Sequence, residues 1–146
     1  MAGADSAENN PAAPHIIIRP VLCDLSRQSG RPRLCGPIPG IRLKPGSRLQ
    51  RIYGCQEVVE EYFCNYELNP AYESQLASAG LEVVARSHNG EARAVELANH
   101  RFFVATLFQT QMSSSAERPH PLLTALLQAA ADQQQQRPAS RQWAGA

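Results

Sequence analysis

Apolar and polar positions alternate in short blocks along the chain, a pattern that predicts several β-strands and few helices. Residues 15–23 (HIIIRPVLC) are β-branched and apolar and predict a strand, which Pro20 places at an edge or a bulge. Residues 56–68 (QEVVEEYFCNYEL) are rich in Val, Tyr and Phe and predict one long strand. Further strands are predicted at residues 81–87, 93–97 and 102–108, with a proline-interrupted one at residues 34–44.

Helix-capping signals mark the remaining elements. Asn69 and the proline after it predict the start of a helix, and Gly80 predicts its end. Residues 119–131 predict a second, largely apolar helix, and Ser47 predicts the cap of a short helical turn that ends at Gly54. The pattern of about six strands and two main helices predicts an α/β domain, but it identifies no reaction.

The two ends of the chain differ in composition from its middle. Residues 1–14 are small, polar and proline-containing, and residues 133–146 are polar and glutamine-rich. Both compositions are typical of disordered segments, because neither can bury enough apolar surface. We therefore predict a disordered leader at 1–14, one folded domain at 15–132, and a disordered tail at 133–146.

The overall composition argues against several functional classes. The chain is 43% hydrophobic, and 14 basic residues against 13 acidic ones give a formal charge of +1. Nucleic acid and acidic membranes require a concentrated basic face, which this balance does not favour. The apolar runs are too short for a bilayer, and the N-terminus lacks the pattern of a signal peptide. We predict a cytoplasmic protein without a nucleic-acid or membrane partner.

Four cysteines occur, at Cys23, Cys35, Cys55 and Cys64. They form no CxxC pair, and their separations do not match a zinc ribbon or finger. A cytoplasmic location also disfavours structural disulfides. The sequence therefore predicts four reduced thiols, no bound metal and no cofactor.

Three stretches carry a resemblance to a known family. They are IRLKPGSRLQRIYG, EVVEEYFCNYELNPAYESQLASAGLEVVARSHNGEARAVEL, and NHRFFVATLFQTQMSS followed by RPHPLLTALLQAA. In that order they resemble the C-terminal half of a class I glutamine amidotransferase domain of the CTP synthase type, over roughly residues 40–131. They are also similar to small stand-alone proteins related to that C-terminal region. The resemblance implies a partial flavodoxin-like domain with a mixed β-sheet and two main helices.

The same resemblance implies that the glutamine-hydrolysing site is degenerate. Family members use a cysteine on a Gly-x-Cys-x-Gly elbow, together with a histidine backed by a glutamate. The 146 residues contain no such elbow, and the positions of the triad histidine and glutamate are held by Gln109 and Gln111. The arginine that contacts the charged end of the substrate corresponds to Asn65. Because an amide cannot act as a base near neutral pH, we predict a chain without glutaminase activity.

Alternative interpretations remain open for these residues. Gln109 and Gln111 are either relics of a catalytic site, which we favour, or contacts for a polar ligand at a strand end. Cys64 is either a relocated reactive thiol or, more simply, a packed one. His120 is expected to fix the turn before the last helix.

The start of the chain (AGADSAENNPAA) resembles a stretch inside the family's domain, so we expect a truncated or split gene product. In that case the chain would need a partner carrying the first half of the domain or would self-associate. A glutaminase half that complements such a partner and a non-catalytic binding or regulatory module are the two alternatives. We also expect residues 81–87 and 102–108 to belong to a mostly parallel sheet, because FFVATLF does not alternate.

Overall fold

A computed structural model of the chain describes residues 1–21 and 34–136. Eight strands and three α-helices occur in this part of the chain. The strands are β1 (Ala4–Ser6), β2 (His15–Pro20), β3 (Leu34–Leu43), β4 (Glu57–Cys64), β5 (Tyr66–Leu68), β6 (Leu81–Arg86), β7 (Ala92–Leu97) and β8 (Val104–Thr106). The helices are α1 (Arg48–Tyr53), α2 (Glu73–Ser78), which follows a 3-10 turn at Pro70–Tyr72, and α3 (Pro121–Gln135).

The strands form two sheets, and the predicted α/β class is confirmed. Five strands pair in the order β4-β3-β6-β7-β8, and three pair in the order β1-β2-β5. Every pair in the larger sheet is antiparallel. The expected mostly parallel sheet is therefore wrong. Short turns join β6, β7 and β8, and a short turn can only connect antiparallel strands.

Two predicted strands differ from the observed ones. The run at residues 56–68 breaks at Asn65, so that β4 belongs to the larger sheet while β5 pairs with β2 in the smaller one. By contrast, the strand that was predicted to be interrupted by prolines is continuous in β3. Its pairing with β4 changes register between Ile38 and Ile41. Gly40 lies within that irregularity at φ 70°, a conformation that glycine adopts without strain.

Regular secondary structure extends into both terminal segments that were predicted to be disordered. Residues 1–14 contain β1, which pairs in parallel with β2, so the leader is not wholly disordered. The carboxylate of Asp5 accepts hydrogen bonds from the backbone N–H of Ser6 and from the Asn9 side chain at 2.7 and 3.1 Å, which fixes this turn locally. At the other end α3 runs through Gln135, because glutamine is a good helix former. The rest of the tail predicted at 133–146, residues 137–146, lies outside the described residues.

The predicted caps are confirmed. Ser47 accepts a hydrogen bond from the Gln50 N–H at 3.1 Å, and α1 ends at Gly54 with φ 70°. Asn69 accepts from the Ala71 N–H at 3.2 Å and begins the 3-10 turn that leads into α2. These signals are read correctly from sequence because each depends on residues two to four positions apart.

The buried core lies between the larger sheet and the helices. It consists of Ile41, Leu43, Leu49, Tyr62, Val84, Ala85, Ala94, Phe108 and Leu122. Tyr62 and Phe108 pack edge to face, with ring centroids 6.3 Å apart. Leu122 is the buried residue of α3, and Leu49 is the buried residue of α1. Each of these two helices therefore contributes one buried side chain to the core.

A buried arginine lies beside this core without full hydrogen bonding. Arg93 is 3% exposed, stacks over the Tyr62 ring at 5.0 Å, and pairs with Glu91 at 3.2 Å. Its Nε and Nη1 atoms have no hydrogen-bond partner among the described residues, and neither does the Tyr62 hydroxyl. Buried donors without acceptors cost free energy, and a poorly paired buried ion is often less stable than an apolar replacement.

We therefore expect Arg93→Met to raise the free energy of unfolding by about 1–2 kcal/mol. Urea unfolding at pH 7 would measure the change. Arg101→Met, at an exposed arginine, is the matched control and should change stability by less than ~0.5 kcal/mol. A clear loss of stability in Arg93→Met would show that the guanidinium is needed in the core.

Candidate functional site

Gln109 lies against the outer edge of β4. Its backbone N–H donates to the carbonyl of Glu61 at 3.0 Å. Its side-chain oxygen accepts from the Phe63 N–H at 2.7 Å, and its side-chain nitrogen donates to the Phe63 carbonyl at 3.4 Å. Both ends of the amide are therefore occupied by one residue of the strand. We call these three hydrogen bonds the Gln109 clip.

The other predicted site residues do not converge on Gln109 through any hydrogen bond. Gln111 is exposed in the turn after it. Asn65 is exposed at the break between β4 and β5, where its carbonyl accepts from the Val21 N–H at 2.9 Å. The thiol of Cys64 is half-buried and bonded locally, to the carbonyl of Tyr66 at 3.5 Å. The contacts of Cys64 favour the packed-thiol interpretation.

A buried polar network lies on the inward face of β4, the face that carries Glu60. The carboxylate of Glu60, 4% exposed, lies 2.9 Å from the Nε2 atom of His120, which is 3% exposed. The hydroxyl of Tyr53 donates to the same carboxylate oxygen. The hydroxyl of Ser113 donates to the other oxygen at 3.2 Å. These four residues, the Glu60 network, join β4, α1 and the start of α3.

The tautomer of His120 follows from its two neighbours. Its Nδ1 atom accepts from the Leu122 N–H at 3.2 Å, so that nitrogen carries no proton and His120 caps α3 as predicted. Nε2 therefore carries the proton and donates it to Glu60. Neither ring nitrogen is available to act as a base on a bound molecule. The Glu60 network thus has the residue types of a catalytic site but the bonding of a structural one.

Burial also fixes the protonation of Tyr53. Removal from water raises the pKa of Tyr53 well above its ordinary value, and the hydrogen bond to Glu60 raises this pKa further. The phenol therefore stays protonated at neutral pH and remains a donor to the carboxylate.

Two of the cavities formed by the described residues open near polar side chains. One of about 360 Å³ is lined by Val59, Glu60, Ser113, His120 and the prolines beside His120. The other, about 390 Å³, lies between β3 and β6. Gln109, Gln111, Asn65 and Cys64 line neither of them.

Comparison with known proteins identifies the fold. A solved structure of a Trypanosoma brucei CTPS glutaminase domain with bound acivicin superposes with a TM-score of 0.80 at 28% identity, over 90% of this chain and 52% of that one. CTP synthases of Acidothermus cellulolyticus and a Synechococcus strain are 38% and 37% identical over 89% and 94% of this chain. One of Caldivirga maquilingensis is 47% identical over 62% of it. No family model matches the chain.

The chain corresponds to part of a glutamine amidotransferase domain of the CTP synthase type. It spans about a quarter of the length of the curated CTP synthases, 25% and 26% for the first two, and about half of the solved glutaminase domain. The resemblance read from sequence and the fold that it implied are thereby confirmed. The assignment of Gln109 and Gln111 to the triad positions, and of Asn65 to the substrate arginine, stays a prediction.

Within this family fold, sequence reasoning missed the Glu60 network. His120 was expected to fix the turn before α3, but its contact with Glu60 was not predicted, and Tyr53 was not singled out. One signal was present. Glu60 falls on the inward phase of β4, between Val58 and Tyr62, where an acidic side chain needs buried partners.

The predicted absence of a metal concerns four cysteines, of which two are described in full. Cys55 and Cys64 are free thiols. Cys23 and the side chain of Cys35 lie outside the described residues, so the prediction for them stands as a prediction. In residues 1–21 and 34–136, no three His, Cys, Asp or Glu side chains are grouped as metal ligands would be. Within the same ranges, no helix has the length and apolar character needed to cross a membrane.

Proposed function

We propose that this chain is a CTP synthase-like glutaminase domain fragment that does not hydrolyse glutamine. The observation that supports the proposal is the Gln109 clip. At the position that the resemblance assigns to the triad histidine, the side chain is an amide whose oxygen and nitrogen are both hydrogen-bonded to Phe63. An amide cannot take up a proton as a general base near neutral pH, and both polar atoms of this one are already hydrogen-bonded.

The second position supports the same conclusion. In the family a glutamate orients the histidine and stabilises its protonated form. Gln111 carries no charge for that task and is exposed to solvent. Loss of the base together with its partner removes most of the ~10⁶-fold acceleration that such a catalytic unit provides.

Ammonia release from glutamine tests the proposal. We expect the purified chain to release none above the buffer rate, while an intact CTP synthase glutaminase domain run beside it turns over normally. A Cys64→Ala variant is assayed in parallel. Turnover that disappears in Cys64→Ala would make Cys64 a nucleophile, and turnover that persists would place a glutaminase site elsewhere. Either result would end the proposal.

A second candidate is a glutaminase half that needs a separate first half. It is favoured by the coverage of the fold comparison, in which 90% of this chain matches 52% of a glutaminase domain. The same assay addresses it, with a separately produced first half of a CTP synthase glutaminase domain added. Ammonia released by the mixture, and by neither part alone, would support complementation.

A further inference from the structure

Among residues 1–21 and 34–136, Gln109 is the residue that bonds to the outer edge of β4. β4 is the terminal strand of the larger sheet and pairs on its inner side with β3. At Glu61 and Phe63 the backbone groups that bond to Gln109 point away from β3. The residue paired with Glu61 across the sheet is Pro37, which has no N–H to donate. These groups would otherwise be available to another strand.

A glutamine amide is well suited to occupy such an edge. It offers a C=O and an N–H side by side, as a peptide unit does in a β-ladder. The Gln109 side chain uses both on Phe63, while its backbone N–H bonds to Glu61 two residues away. The spacing matches an antiparallel ladder, in which every second residue of a strand faces the same neighbour.

We propose that Gln109 closes the outer edge of β4 by taking the place of a neighbouring strand, and so prevents this edge from pairing with a second copy of the chain. A strand edge is self-complementary about a two-fold axis, because each strand offers the same alternating donors and acceptors. The exposed apolar side chains of Val59 and Phe63, 62% and 57% exposed, would add burial to such pairing. Glu57 and Glu61 on the same strand face oppose it by charge, so the edge is protected twice.

This inference concerns the structural task of Gln109 and does not depend on the absence of glutaminase activity. A chain that hydrolysed glutamine would leave the edge-closing role intact, and a chain that lost edge closure would still lack a base at this position. The two proposals can therefore fail separately.

The direct test is the hydrogen-exchange rate of the Phe63 amide in Gln109→Ala. We expect exchange at least ~10-fold faster than in the parent chain, because the Phe63 amide loses the acceptor that the Gln109 side-chain oxygen provides. The Lys44 amide, which donates to Val84 at 2.8 Å within the sheet, is the internal reference. Its rate separates local opening from general destabilisation. Gln111→Ala is the matched control and should leave both amides unchanged.

Sedimentation of the same variants tests the second half of the proposal. We expect Gln109→Ala to show a concentration-dependent dimer that Gln111→Ala and the parent chain lack. If Gln109→Ala folds poorly, Gln109→Met provides the same comparison, because it keeps a side chain of similar length and removes both amide groups that bond to Phe63. Unchanged Phe63 exchange relative to Lys44 would overturn the edge-closing role, and faster exchange without self-association would overturn the protective one.

Discussion

Replacing Glu60 with alanine is expected to lower the free energy of unfolding by about 3–5 kcal/mol, because three donors lose the acceptor that they share, at about 1–3 kcal/mol each. The substitution leaves the Tyr53 hydroxyl, the His120 Nε2–H and the Ser113 hydroxyl without their shared acceptor. Each orphaned donor adds a desolvation cost, because Glu60, at 4% exposed, lies in the interior. Chemical unfolding followed by circular dichroism would measure the loss.

The neighbouring residue provides the control for this prediction. Glu61 points to the other face of β4, where it is half-buried. Its backbone carbonyl, not its side chain, accepts from Gln109. Glu61→Ala should therefore cost less than ~0.5 kcal/mol. A loss of similar size in both variants would mean that strand charge matters and the Glu60 network does not.

The second large effect is expected at alkaline pH, through Tyr62, which is buried, and Tyr53, which is half-buried. Burial raises the pKa of both Tyr53 and Tyr62; the hydrogen bond to Glu60 adds to this at Tyr53, while Arg93 partly opposes it at Tyr62. A raised folded-state pKa means that the folded chain holds its proton where the unfolded chain has released it. The stability contributed is therefore complete below the unfolded pKa of ~10 and falls as the pH rises beyond it, by up to ~1.4 kcal/mol per pH unit for each tyrosine.

Two phenylalanine variants separate the contributions. Tyr62→Phe should make the free energy of unfolding fall less steeply with pH above ~10, by the contribution of one tyrosine. It should leave stability at pH 7 unchanged or slightly higher, because the Tyr62 hydroxyl has no partner among the described residues. Tyr53→Phe should also make this fall less steep, but it should cost about 1–3 kcal/mol at pH 7, since Glu60 loses a donor. Unfolding free energies measured from pH 8 to 11 would show both. Identical slopes in all three chains would refute the assignment.

Local signals predicted much of the fold. The caps at Ser47 and Asn69 and the glycine end of α1 follow from residues within one turn of each other. The turn that ends at Gly90 is local in the same way, since the Gly90 N–H bonds to the carbonyl of Ser87. Sheet direction was not predictable in this way. An apolar run such as FFVATLF is consistent with either parallel or antiparallel pairing, and the short turns decided the outcome.

The candidate site was less predictable because its contacts are non-local. Glu60 and His120 lie 60 residues apart, and Gln109 lies 46 residues from Phe63. A pattern along the chain could place Glu60 and Glu61 on opposite faces, which the structure confirms, but it could not choose their partners. Family resemblance singled out Gln109 as a catalytic position, whereas its clip on β4 appears only once the strand edge is built.

The His120 cap has a consequence for the last helix as a whole. A helix of this length is marginal in water on its own, and α3 buries only Leu122. Its first turn is instead held by a side chain that is anchored to β4 and α1, far back in the sequence. The stability of α3 therefore depends on contacts with distant parts of the chain and not on its own sequence alone. Removing residues 120–146 would take away more than a terminal appendage, because the Glu60 carboxylate would lose one of its donors and the core would lose Leu122.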